Sequence, residues 1–141
     1  MNIEFEIKGK VKAKQSVKFA NMGGFTKKYT PADIKEYANW VRLCFINKYP
    51  AWDINNYAGK QLKAEINVYE YIPKSFSKKK HKQALAGQIR PIVKPDCDNI
   101  AKNINDALNG IIFPDDKQIV SLSVNKYYSD NEYVNVKISC L

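Results

Sequence analysis

The stretch KPDCDNIAKNINDALNGIIFPDDKQIVSLSVN, residues 94–125, decides how this chain folds. Pro95 holds an extended backbone and biases Lys94 the same way, so a helix can begin only beyond it. Ile100, Ile104, Ala107 and Leu108 then recur at helical spacing, and Gly110 is a C-terminal stop, which predicts a helix over 98–109. Pro114-Asp115-Asp116 is turn chemistry. Beyond it Val120, Leu122 and Val124 alternate with Ser121, Ser123 and Asn125, the period of a strand.

Working outward, Val134, Val136 and Ile138 alternate in the same way after a turn at Ser129-Asp130-Asn131, so the last two strands are expected to pair as a hairpin. Upstream, Leu62, Ala64, Ile66 and Val68 alternate with Lys63, Glu65 and Asn67. Ile3, Phe5 and Ile7 do the same at the start. Thr30-Pro31 opens a helix with a hydroxyl cap followed by proline. Its apolar stripe is Ile34, Tyr37, Ala38, Val41, Cys44, Phe45 and Ile46, and it stops before Pro50. A short basic helix is expected within Ser75–Gly87, and residues 9–29 read as a lysine-rich loop with short strands around a Gly23-Gly24 turn. The fold class is therefore α+β, a single domain over 1–141 with a mixed β-sheet packed against two or three helices.

The 141 residues suffice for one hydrophobic core, and 45% hydrophobic content excludes a disordered chain. There is no apolar run long enough for a membrane helix and no signal-peptide core, so a cytoplasmic protein is expected. Cys44, Cys97 and Cys140 have no disulfide or zinc spacing; they read as two buried small hydrophobes and one loop residue, with Cys97 expected to face inward as a packing residue. The net charge of +9 points to a polyanion partner. Only Arg42 and Arg90 are arginines, so 23 − 2 = 21 of the cations are lysines. Lysine acts as a point charge on phosphate, which suits backbone tracking better than base reading.

Against that basic background, five of the eight aspartates fall within residues 96–116. In an extended stretch Asp96 and Asp98 project to one side. Two carboxylates so placed repel each other, and a hard cation such as Mg²⁺ relieves the repulsion. Asp98 also reads as an ordinary helix cap, a reading not open to Asp96. Lys102 lies one turn beyond Asp98, where it is either a surface ion-pair partner or a group that offsets charge on a phosphate. Asn99 and Asp106 share that face, for solvation or for hydrogen bonds behind the site. Asp115 fits a turn, whereas Asp116 at the mouth of the strand could complete a metal site. His81 lies in a lysine run and reads as a solvated helix residue.

Several of these segments resemble the RusA family of phage and prophage Holliday junction resolvases: KPDCDN at 94–99, Lys102, DALNG at 106–110 and DDKQIV at 115–120. PKSFSKKK at 73–80 and Tyr29-Thr30-Pro31 are similar to further family segments, and the likeness spans roughly residues 5–128. The resemblance implies that Asp96, Asp98 and Asp116 are catalytic, metal-binding carboxylates and that Lys102 is the catalytic lysine. It further implies a homodimer that nicks four-way DNA junctions symmetrically with Mg²⁺, or Mn²⁺ in its place, without a small-molecule cofactor. It departs at 12–18, where KAKQSVK stands in place of the arginine-rich element of many members, so no base preference carries over.

The reaction expected is metal-assisted phosphodiester hydrolysis. Lys12, Lys14, Lys18, Lys27, Lys28, Lys78, Lys79, Lys80 and Lys82 would hold the arms of the branched DNA by their phosphates. Two rivals remain: a non-catalytic basic nucleic-acid-binding module, and a nuclease acting on flaps or forks.

Overall fold

The computed structural model describes residues 2–13, 18–22, 25–29 and 32–141. The cap at Thr30-Pro31, the Gly23-Gly24 turn and Lys14 lie outside the described residues, as do the side chains of Lys18, Lys27 and Lys28.

The alternating runs become strands. β1 (Asn2–Lys8) buries Ile3, Phe5 and Ile7 and exposes the residues between them. A basic ribbon follows, β2 (Lys18–Met22) paired antiparallel with β3 (Phe25–Tyr29). The first helix, α1 (Ala32–Lys48), sets Tyr37, Val41 and Phe45 inward at steps of four. Ile46 lies about 100° round from Phe45 and is 45% exposed, contrary to its place on the expected stripe.

β4 (Leu62–Tyr71) buries every second side chain from Leu62 to Glu70. Then come α2 (Lys78–Leu85), α3 (Cys97–Leu108), β5 (Ile119–Ser129) and β6 (Tyr133–Cys140). The result is an α+β arrangement: one mixed four-stranded sheet and three helices. α3 buries Ile100, Ile104 and Leu108 fully, each worth about 1.5–3 kcal/mol of apolar burial. Gly110 ends the helix with φ +76°, a conformation that disfavours any side chain.

The strand order is β1-β6-β4-β5, and this corrects the expected hairpin. β5 does not pair with β6; β4 lies between them, parallel to β5 and antiparallel to β6. The short 130–132 connection is compatible with either arrangement. Ser129 pairs with Tyr71 and Tyr133 with Tyr69, so the chain steps over the end of β4. Two strand spacings are about 9.6 Å, and four peptide links reach about 13 Å. Tyr69 of β4 stacks on both Tyr127 and Tyr133, at 5.5 and 4.5 Å, so the central strand is also the partner both neighbours share. As an edge strand, β5 leaves Val120 and Leu122 at 59% and 48% exposure, despite the alternation they share with Ser121 and Ser123.

Candidate active site

α3 and the mouth of β5 carry the acidic residues. Asp96 is the residue that caps α3, with extended backbone (φ −71°, ψ 154°), and its carbonyl accepts the first helical bond from Ile100 N at 3.0 Å. Its side chain makes no capping bond. Asp98 is therefore not the cap; it sits inside the first turn, where the helix dipole favours a carboxylate. Cys97, between them, is exposed rather than inward: it is the first residue of α3 and lies beyond the stretch where the helix buries Ile100 and Ile104. Cys44 and Cys140 are half-buried and meet the packing expectation.

Asp98, Lys102 and Asp106 follow one face at steps of four, about 6 Å of rise each. Lys102 Nζ pairs with Asp106 Oδ2 at 3.5 Å, with both side chains more than half exposed. A pair so open to water contributes a few tenths of a kcal/mol at most, so stability is a weak reason for its presence. Asn99 offers its carbonyl to Asn103 Nδ2 at 2.8 Å.

At the far end of α3 the chain turns through a single 3-10 turn, Asp116–Gln118, before β5. Asp115 caps it: its Oδ1 accepts from Lys117 N at 2.9 Å, and Gln118 Oε1 accepts from Asp115 N at 3.3 Å. The other end of the Gln118 amide donates to the carbonyls of Tyr57 and Lys60, at 2.6 and 3.1 Å. Asp115 thus fills the turn role expected of it. Asp116 is held by a turn braced against the loop before β4, and its carboxylate shares a side-chain hydrogen bond with Asp115.

Electrostatics separate the two neighbours. The Lys117 backbone N–H holds the Asp115 carboxyl below its ordinary range. Burial pushes the Asp116 carboxyl up, reinforced by the hydrogen bond and charge of Asp115 and by the charge of Asp106, with Lys102 opposing. Asp116, Asp106, Asp115 and Lys102 therefore share one neighbourhood. Asp96 and Asp98 lie toward the other end of α3, a helix of 12 residues and about 18 Å. Among the described residues, no three Asp, Glu, His or Cys side chains converge as a ready-made metal site. The donor chemistry nevertheless suits a hard cation: carboxylates only, one of them unspent at a helix cap and another crowded by like charge.

Lys12 is exposed, and α2 exposes Lys78, Lys79, Lys80 and Lys82. Ser77 Oγ caps α2 by accepting from Lys80 N at 3.2 Å, and Lys80 Nζ lies 4.6 Å from the centre of the Phe76 ring. His81 Nε2 approaches Asp130 at 3.5 Å, which ties α2 to the β5–β6 connection and gives the histidine a structural partner. Both arginines serve the fold. Arg42 Nε donates to the Ala107 carbonyl at 2.9 Å, and Arg90 Nε to the Lys126 carbonyl at 2.8 Å. Gln118 is the site residue that sequence reasoning passed over. Its signal was present in the Asp-Asp-x-Gln spacing, because a capping box needs an amide three residues after its Asp.

A family model for endodeoxyribonuclease RusA matches residues 8–139. The chain belongs to the RusA family. A relative from Bacillus subtilis (strain 168), YqaN, itself named an uncharacterized protein, is 35% identical over 138 residues, spanning 96% of this chain and 94% of that protein. RusA membership makes this chain an endodeoxyribonuclease. No described helix is long and apolar enough to cross a membrane.

Proposed function

We propose that this RusA-family protein is a Mg²⁺-dependent endodeoxyribonuclease that resolves four-way DNA junctions by paired symmetric nicks, each copy of a homodimer acting as one catalytic domain. The observation that carries the reading is the Asp116 carboxylate, crowded by Asp106 and Asp115 and faced by Lys102, in a protein of charge +9. Like charges gathered at a surface destabilise the fold, so a role in function is the better account of them.

Asp96, Asp98 and Asp116 are the proposed metal ligands, with Asn99, Asp106 and Asp115 supporting them. Bound Mg²⁺, or Mn²⁺ in its place, supplies Lewis-acid polarisation of the phosphate and a water of lowered pKa. Lys102 Nζ offsets the negative charge that grows on the phosphoryl oxygens. Before DNA arrives, Asp106 holds that ammonium at 3.5 Å over the α3 face. The lysines at 12–18, 27–28 and 78–82 hold the DNA arms through phosphate contacts, which makes binding strongly salt-dependent.

The test is cleavage of a labelled synthetic four-way junction, with flap, fork and linear duplex DNA alongside, in Mg²⁺ or EDTA, for wild type and Asp98→Asn. Paired nicks on the junction by wild type with metal alone support the proposal. Junction binding with no cutting under Mg²⁺ or Mn²⁺ leaves a non-catalytic binding module instead, and preferential cutting of flaps or forks replaces the substrate.

A further inference from the structure

The segment between α2 and α3 presents an apolar side chain to solvent in a way the proposed chemistry does not use. Ile92 is 97% exposed and Val93 57% exposed, while Pro91 and Pro95 on either side are buried. A lone exposed aliphatic residue is ordinary in itself. This one sits on a turn anchored at both ends. Arg90 Nε donates to the Lys126 carbonyl at 2.8 Å, its Nη2 donates to Asn125 Oδ1 at 3.2 Å, and its guanidinium stacks 4.4 Å from the centre of the Tyr127 ring. Three residues on, Lys126 Nζ donates to the Val93 carbonyl. Arginine side chain, tyrosine ring and lysine of one strand thus clamp a five-residue turn whose β-branched tip points into water.

The tip is close to the chemistry. Ile92 precedes Asp96 by four residues, so their Cα atoms lie within about 14 Å of each other. In intact duplex DNA the base faces are stacked and closed to such a group. At a branch point the stack is broken, and an aliphatic wedge can cover an exposed base face. Because Ile92 is stiff about χ1 and its turn is already pinned, little ordering opposes the insertion.

We infer that the Ile92–Val93 tip enters the interrupted base stack at a DNA branch and so selects branched DNA over linear duplex. The inference rests on the reading of the protein as a DNA nuclease and adds a residue that specifies its substrate. It makes Ile92 a contact to bases in a protein whose other proposed DNA contacts are to phosphate.

The experiment uses the full chain in Ca²⁺ or EDTA, where binding is read without cutting. The probe is a synthetic four-way junction with 2-aminopurine beside the crossover, against a linear duplex with the same label. Wild type is expected to raise the junction fluorescence and to leave the duplex signal unchanged. Ile92→Ser should reduce that rise about tenfold and weaken junction binding by a similar factor, since burying an isoleucine side chain is worth roughly 10- to 150-fold. Duplex affinity should stay within about twofold, and Ile92→Leu should recover most of the signal. Thermal unfolding and sedimentation of each variant complete the set, with no change expected in either.

An Ile92→Ser protein that unstacks the junction as wild type does overturns the inference. So does a change of oligomeric state, which would assign the tip to a contact between copies of the chain. Failure of wild type to bind or unstack the junction overturns it as well. Unstacking without cutting once Mg²⁺ is added would instead leave the tip standing and remove the nuclease reading.

Discussion

Replacing Gln118 tests whether a single amide fixes the position of Asp116. Its Nε2 donates to the Tyr57 and Lys60 carbonyls at 2.6 and 3.1 Å, and its Oε1 accepts from Asp115 N at 3.3 Å. Gln118→Leu keeps the volume and withdraws all three bonds. The bond to Tyr57 is partly buried and short, worth about 1–1.5 kcal/mol; the exposed bond to Lys60 and the long one to Asp115 contribute about 0.5 kcal/mol each. The sum is about 2–2.5 kcal/mol. For 141 residues the unfolding entropy is about 0.3 kcal/mol/K, so Tm should fall by about 7–8 °C. Gln118→Glu is the sharper probe: it preserves shape and Oε1 but turns a carboxylate oxygen toward two carbonyls. That variant should lose more than the leucine variant at pH 7 and recover part of the loss near pH 4, as its carboxyl takes a proton. Differential scanning calorimetry reads both, and junction nicking should fall at least about tenfold in each as Asp116 shifts. A glutamate variant as stable as wild type at pH 7 would refute the amide's orientation and with it the account of how Asp116 is held.

Three further outcomes are expected. Asp116→Asn should lower nicking by at least about 100-fold while matching or exceeding the wild-type Tm at pH 7. The Asp116 carboxyl is pushed up first by burial and then by Asp115 and Asp106, so its contribution to stability is present below the ordinary carboxyl pKa of about 3.9 and is lost as pH rises through the raised value. The Tm gap between the two proteins should therefore close below the ordinary carboxyl range and open as pH rises through the raised Asp116 value, as a melting series across pH would record. Mg²⁺ at ten times its dissociation constant should raise the wild-type Tm by about 5 °C, equivalent to about 1.4 kcal/mol, with the rise abolished in Asp98→Asn. Cys97→Ser should leave stability within about 0.5 kcal/mol, and thiol titration of the native protein should modify Cys97 faster than Cys44, whose thiol burial pushes up.

Asp106, Asp115 and Asp116 meet at one end of α3, and the Lys102–Asp106 pair is open to water. An acidic cluster of this kind weakens the fold at neutral pH, whereas α3 itself is secured by Ile100, Ile104 and Leu108 on the opposite face. The division lets the exposed face carry repulsion that the buried face offsets.

Much of this was legible in the order of residues. Period-two alternation determines which faces of β1, β4 and β6 are buried, because successive strand side chains point to opposite sides whatever the partner strand is. The four-residue steps of α1 and α3, the Gly110 stop and the turn at Asp115 are likewise local, settled by backbone geometry and nearby hydrogen bonds. The Asp–x–Asp, lysine and Asp-Asp-x-Gln spacing carried the family. Tertiary structure alone decided that β4 separates β5 from β6, since alternation describes a strand's faces and is silent about its neighbours. It also decided that Val120 and Leu122 lie at a sheet edge in water, and that Gln118 reaches back to Tyr57 and Lys60, some 60 residues earlier. Those outcomes depend on which distant groups the closed chain brings within hydrogen-bond or van der Waals reach, and no local period encodes that.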